Sequence, residues 1–196
     1  MKKINKILVG THNLGKFKEI SHLLPKKIKK ISPIKLKIKA PKETGKTFLQ
    51  NSVLKANYFY KKSQIISISD DSGLEVKCLN NKPGIYSARW GKKYKGFQKA
   101  MNKILFLVNK KKKSREAHFV CSLSIKFNHK KIISAVGRVK GSIANKIKGT
   151  NGFGYDAIFI PSGKKITYAQ MSKKKKTKID HRFIAYQKLK KSLKTL

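Results

Sequence analysis

Two adjacent carboxylates, Asp70 and Asp71, follow the apolar run Ile65-Ile66-Ser67-Ile68-Ser69 and precede Ser72-Gly73. The chain holds only eight acids against 49 Lys and Arg residues, so composition alone makes such a pair uncommon. The run reads as a strand with the acids at its end, and open α/β sheets place ligands at strand ends. Paired carboxylates on a rigid strand suit a hard cation such as Mg²⁺, which commonly arrives with a phosphate substrate.

A second arrangement could hold that phosphate. Gly10-Thr11-His12-Asn13-Leu14-Gly15-Lys16 lies between a strand expected over 4–10 and a helix expected over 15–24. A helix start offers backbone N–H groups and a positive dipole end to an anion, and Lys16 adds a point charge. The spacing satisfies the Gly-x-x-x-x-Gly-Lys part of a P-loop, but Phe17 stands where that motif needs a hydroxyl for Mg²⁺. An ordinary strand-to-helix turn would look the same. Glu43 is either a first-turn helix acid favoured by the dipole or a metal carboxylate paired with Asp71. Lys55, on the polar side of the following helix, either reaches a phosphate or is solvated.

Gly149 to Asp156 carries three glycines in six residues, which permits close backbone approach to a ligand. Phe153 and Tyr155 offer flat faces to a base, as they would in a packed turn. Lys173 to Lys176 is a lysine run, followed by Asp180-His181-Arg182. Arginine is scarce, limited to Arg89, Arg115, Arg138 and Arg182. Arg182 therefore stands out, since its fork matches the O6 and N7 edge of a purine.

These residues need a scaffold. A chain of 196 residues, 39% hydrophobic, can form one cored domain or two small lobes around a cleft. Apolar alternation at Ile34, Leu36 and Ile38 predicts a charged edge strand within 26–39. A helix is expected over 47–60 with Leu49, Val53, Ala56 and Tyr60 as its buried stripe. A second strand is expected over 74–79, a loop over 81–96, a helix over 97–108 and a solvated linker over 110–113. Period-two alternation from Ala117 to Phe127 predicts a strand, paired with 132–139 through a turn at Asn128-His129. A strand over 155–160 and a helix over 180–193 follow. That helix would turn Phe183, Tyr186 and Leu193 inward, with Asp180 as N-cap. The fold class is mixed α/β.

The formal net charge of +41 fits either a nucleic-acid binder or compositional drift. Lysine is spread along the whole chain, and neither arginine nor aromatics gather in one place, which favours drift. Weak attraction to polyanions still follows from the charge, but no specific nucleic acid is expected. Cys78 and Cys121 lack metal-ligand spacing and read as buried free thiols, which suits a reducing compartment. Met1-Lys2-Lys3 resembles the start of a signal peptide, but Ile7-Leu8-Val9 is too short an apolar core. No run approaches the length of a membrane span, so a cytoplasmic protein without a membrane partner is expected.

In their order these blocks resemble the inosine triphosphate pyrophosphatase family, hydrolases of non-standard purine nucleoside triphosphates. The matching residues are Thr11-x-Asn13-x-Gly15-Lys16-x-x-Glu19, Glu43-Thr44-Gly45-x-Thr47-Phe48 with Asn51 and Lys55-Ala56, and Asp70-Asp71-Ser72-Gly73-Leu74. Pro83-Gly84-Ile85-Tyr86-Ser87-Ala88-Arg89, Gly152-Phe153-Gly154-Tyr155-Asp156, and Lys176 with His181-Arg182 complete the set. The resemblance spans nearly the whole chain. It implies a single pyrophosphatase domain over 1–196, elongated and two-lobed around a substrate cleft, acting as a homodimer with Mg²⁺ as cofactor. Thr11, His12, Asn13, Leu14, Gly15 and Lys16 would cradle the triphosphate with Lys55. Asp71 would be general base and metal ligand, with Glu43 as second metal carboxylate. Ser72 would touch the substrate, and Phe153, Gly154, Tyr155, Asp156, Lys176, His181 and Arg182 would bind the nucleoside. Gln50, Gln170 and Asp180 depart from the family pattern of acid, Glu and Ser at those places, which bears on substrate preference.

Three function classes remain at this point: a Mg²⁺-dependent nucleotide pyrophosphatase, a charge-driven nucleic-acid binder, and a P-loop-like enzyme acting at a γ-phosphate. The resemblance favours the first.

Overall fold

A computed structural model describes residues 4–194, with side chains to Lys191. Met1-Lys2-Lys3 and the Leu193 side chain lie outside the described residues. The strands are β1 (Lys6–Val9), β2 (Lys29–Ile31), β3 (Ser67–Val76), β4 (Lys82–Pro83), β5 (Glu116–Lys126), β6 (Ile132–Ile143) and β7 (Phe159–Pro161). The helices are α1 (Leu14–Leu23), α2 (Phe48–Ser63), α3 (Ser87–Lys93), α4 (Phe97–Lys111), α5 (Lys173–Lys176) and α6 (His181–Lys194). The described strands pair in the order β2-β1-β3-β5-β6-β7, with β4 on β3. Pairing of β1 with β2 and β3 is parallel, and that of β3 with β4 and β6 with β7 antiparallel. The fold is a mixed α/β sheet, as the alternation of periods two and 3.6 predicts. No described helix is long and apolar enough to cross a membrane.

The chain forms two compact units. Unit 1 comprises residues 1–71, 121–137 and 182–196, and unit 2 comprises 72–120 and 138–181. Unit 1 has its core at Ile7, Val9, Ile20, Leu24, Ile68, Cys121, Leu123, Ile125, Ala185 and Leu189. Unit 2 buries Leu74, Val76, Met101, Ile104, Val108, Phe119, Tyr155, Phe159 and Tyr168 around its own.

Several expected elements change. The acids lie within β3, which continues to Val76 as one strand; the separate strands expected on either side are one. The parallel pairing of β1 with β3 runs to Val9 and Ile68, and the acids lie just beyond it, after Ser69. The edge strand stops at Ile31. Ser32 Oγ accepts the Ile34 N–H, and Pro33 O accepts from Leu36 and Ile38, so the alternating residues form turns and leave Ile34 and Leu36 exposed. The buried stripe of α2 is rotated: Leu49 is exposed, and Phe48, Asn51, Ser52, Lys55, Ala56, Phe59 and Tyr60 are buried. The polar members of that stripe explain why an apolar pattern misplaced it. The segment 81–96 is not a loop, since it holds β4 and α3. The strand expected over 155–160 opens with a 3₁₀ turn, Asp156–Ile158, and only Phe159–Pro161 pairs. Cys78 sits half-buried on a 3₁₀ turn rather than buried as expected, whereas Cys121 is buried in β5. Among the described residues of α6 the fully buried apolar ones are Ala185 and Leu189, with Phe183 and Tyr186 half-buried.

Candidate active site

In unit 1, β1 delivers the chain into α1 through a tight passage. A Cβ at Gly10 would collide with Ser69 Oγ and the Phe59 ring, so only glycine fits. Asn13 then caps α1, its Oδ1 accepting the Lys16 N–H at 3.0 Å, and Thr11 Oγ1 accepts the Asn13 N–H at 3.2 Å. His12 contacts the Ile38 carbonyl through Nε2, and the Leu14 side chain is exposed, so Leu14 and Gly15 bring backbone to the helix start. Lys16 Nζ lies 3.1 Å from Asp70 Oδ2.

Asp70 is wholly buried, and its Oδ2 also lies 3.6 Å from Arg182 Nε. Arg182 donates through a terminal nitrogen to Glu19 Oε2 at 2.8 Å. Arg182 is itself buried. A buried guanidinium needs partners, and two acids supply them. Burial pushes the Asp70 carboxyl up, but Lys16, Arg182 and Lys55 outweigh it and hold the group well below the usual carboxylate range.

Asp71 has a different environment. Its Oδ2 accepts the Asn51 side-chain N–H at 3.0 Å, while Oδ1 lies 3.9 Å from Lys55 Nζ. The same ammonium donates to Glu43 Oε1 at 2.7 Å. Glu43 and Asp71, separated by 28 positions in the sequence, thus converge on one cationic atom. Burial pushes the Asp71 carboxyl up. Lys55 and Lys16 pull it back, Glu43 adds to the push, and the balance lies above the ordinary value. Burial pulls Lys55 down, but Asp70, Asp71 and Glu43 outweigh it and raise it, so Lys55 stays charged. Adjacent acids on one strand therefore diverge: one is clamped as a carboxylate, the other kept more basic.

The charge balance allows a fit test for a divalent ion. Glu43 and Asp71 are hard oxygen donors already directed at a single positive charge. Among the described residues no three His, Cys, Asp or Glu side chains gather as a metal cage. Mg²⁺ commonly uses one or two carboxylates plus water and substrate phosphate, so a pair is the appropriate donor set.

Unit 2 carries a separate constellation. Gly149, Gly152 and Gly154 all take positive φ, and a Cβ at Gly152 would strike Asp156 Oδ2. That oxygen accepts the Phe153 N–H at 2.9 Å and the Lys176 ammonium at 2.7 Å. Lys176 Nζ also sits 5.3 Å from the Phe153 ring centre and 5.7 Å from that of Tyr168. Of the lysine run only Lys176 is buried; it ends α5, whose N-cap is Ser172. Tyr155 donates its hydroxyl to Ser87 O, and Ser87 Oγ accepts the Leu74 N–H, which ties the turn, α3 and β3 together. His181 is buried with its ring stacked on Phe119, centroids 4.7 Å apart and 8° from parallel. Ser72 is half-buried in β3. Gln170 Oε1 accepts from Thr167 N and Oγ1, so glutamine fills a capping box much as glutamate would. Gln50 Oε1 likewise accepts the Lys46 N–H.

Asn51 and Glu19 stand in the matching motifs without a predicted site role, and Asp70, expected beside Asp71 at a cation, instead pairs with Lys16 and Arg182. Only the buried face of α2 and the neighbours of Arg182, seen in three dimensions, bring Asn51 and Glu19 forward. An asparagine at a buried helix position is a usable signal, because a buried amide needs partners.

The Ham1 family model matches residues 7–192. The dITP/XTP pyrophosphatase of Caulobacter vibrioides is 37% identical over 96% of this chain and 97% of its own. That of Bacillus subtilis is 37% identical over 95% and 96%. Among solved structures, a HAM1 protein from Coxiella burnetii superposes with a TM-score of 0.88 at 30% identity, covering 98% of this chain and 100% of its own. The Staphylococcus aureus Ham1 protein gives 0.85 at 35% identity, covering 97% and 98%. Family, fold and near-full coverage agree: the chain belongs to the Ham1 family.

Proposed function

We propose that this protein hydrolyses the non-standard purine nucleotides ITP, dITP and XTP to the monophosphate and pyrophosphate, with Mg²⁺ as cofactor. As an enzyme it is a nucleoside-triphosphate pyrophosphatase, in line with relatives named dITP/XTP pyrophosphatase and nucleoside-triphosphatase. The observation that carries the reading is the convergence of Glu43 and Asp71 on Lys55 Nζ beside the Lys16–Asp70 pair.

Glu43 and Asp71 would hold the divalent ion, which when bound supplies positive charge to the triphosphate oxygens and lowers the proton affinity of water. Asp71 takes a proton from the water that attacks the α-phosphorus. A new O–P bond forms there, the bond from the α-phosphorus to the bridging oxygen breaks, and pyrophosphate leaves with the electron pair. The raised carboxyl of Asp71 suits it to this task, whereas Asp70 serves by holding Lys16. Backbone from Thr11 to Gly15 and the Lys16 and Lys55 ammonium groups bind the phosphates and offset charge on the leaving group. Ser72 contacts the substrate. Phe153, held by Asp156 and Lys176, gives the base a face; Gly154, Tyr155, His181 and Arg182 complete the nucleoside contacts. A donor aimed at the 6-keto oxygen is left unpaired against the 6-amino group of ATP, which discriminates strongly.

The reading includes one functional domain over 1–196, a homodimer, and a cytoplasmic role in clearing the nucleotide pool before these nucleotides enter DNA or RNA. Incubation of the purified protein with Mg²⁺ and ITP, dITP, XTP or ATP tests the activity. Monophosphate and pyrophosphate from the first three, with ATP spared, is the expected result. Orthophosphate as the first product, or equal turnover of ATP, overturns it. Light scattering at working concentration tests the dimer.

A further inference from the structure

Asn51 is the one wholly buried side-chain amide on α2 to face the carboxylate pair, and its two ends go to different places. Oδ1 accepts the Gly45 N–H at 2.8 Å, two residues beyond Glu43. Nδ2 donates to Asp71 Oδ2 at 3.0 Å. The orientation is fixed by the partners: an N–H can meet only the carbonyl end, so the amino end must face the carboxylate. The Glu43 segment is drawn close to the helix. A Cβ at Gly45 would lie 2.6 Å from Asn51 Oδ1, and Gln50 Oε1 takes the neighbouring Lys46 N–H at 2.7 Å.

We propose that Asn51 is a positioning residue for the metal pair: its amide ties the Glu43 segment to Asp71 and turns Asp71 Oδ1 toward the shared cation. It acts through Asp71 and the Glu43 segment, not on the substrate. By engaging Oδ2, the amide selects which oxygen faces Lys55, and by holding Gly45 it sets how near Glu43 comes. Residues that orient metal ligands in this way commonly change metal affinity 10–100-fold when removed. The inference rests on Glu43 and Asp71 being the metal carboxylates.

The test reads Mn²⁺ binding directly, by electron paramagnetic resonance on nucleotide-free protein, beside thermal melting. Asn51→Leu keeps the size and removes both hydrogen bonds; Asn51→Ala leaves room for water should the first variant not fold. Ser52→Ala is the control. Ser52 Oγ meets the buried Ser122 and Ser124 hydroxyls at 2.8 Å each, so its loss loosens the same helix without touching the carboxylates. The expected result is a Mn²⁺ dissociation constant raised about 10-fold or more by the Asn51 variants and unchanged by Ser52→Ala. Asn51 variants that bind Mn²⁺ as the parent does, or a Ser52→Ala shift of equal size, overturn the proposal. If Glu43→Gln and Asp71→Asn also bind as the parent does, the metal-pair reading falls with it; if only those two lose the ion, that reading stands and the Asn51 role alone fails.

Discussion

The two units use acidic residues in opposite ways. All the acids of unit 1, namely Glu19, Glu43, Asp70 and Asp71, belong to one cluster with Lys16, Lys55 and Arg182. In unit 2, which also holds the buried Asp180, Glu75 and Glu116 pair with partly exposed Arg138 and with Lys77 and Lys140, and Asp156 secures a candidate binding turn. Unit 1 therefore concentrates opposing charge, most of it out of water with Glu43 at the edge, where it shifts proton affinities and can hold an ion. Unit 2 spends one buried ion pair on orienting aromatic faces and a glycine-rich backbone. In so basic a chain, the placement of the few acids carries more information than the excess of lysine.

The sharpest break of this contrast is in turnover. Asp71→Asn should lose about 10²–10⁴-fold in kcat with its melting profile retained. Near-parental turnover would remove Asp71 as the base. The counterpart in unit 2 is Lys176→Met, which leaves Asp156 buried without its ammonium. It should lower stability by roughly 3 kcal/mol and raise KM more than it lowers kcat. A kcat loss matching that of Asp71→Asn would erase the division of labour.

Acid titration sharpens the comparison further. Asp70 is depressed in the folded protein relative to the ordinary value near 3.9. Its stabilisation is therefore present above about pH 4 and is lost as the pH falls below that toward the folded value. Asp70→Asn should be less stable near neutrality by about 2 kcal/mol and should show a flatter decline below about pH 4. Equal acid limbs in the two proteins would contradict the clamp by Lys16 and Arg182. The smallest effect is expected at Leu49, exposed on α2. Leu49→Lys should shift stability within about 0.5 kcal/mol; a larger loss would restore the stripe that periodicity predicted.

Much of this is legible in the sequence alone. The turn from Gly10 to Lys16, helices α1, α2 and α4, and strands β5 and β6 follow from spacing that a single sequence carries. The elements that escaped did so for local reasons. Short pieces such as β4 and α3 lie in a Pro- and Gly-containing stretch where periodicity has no room to register. Pro33 and the Ser32 hydroxyl turned an alternating run into turns. On α2 the inward face includes Asn51, Ser52 and Lys55, so polarity misdirected the assignment. The pairings Lys55–Glu43, Lys176–Asp156 and Arg182–Glu19 span 12, 20 and 163 positions. Motif identity can nominate such residues, but which acid meets which base is a matter of packing.

The most direct test of the central chemistry is hydrolysis of dITP in ¹⁸O-enriched water with Mg²⁺, followed by mass analysis of both products. Attack at the α-phosphorus predicts one ¹⁸O in the nucleoside monophosphate and none in the pyrophosphate. Label in pyrophosphate or in orthophosphate would place the attack elsewhere and contradict the account.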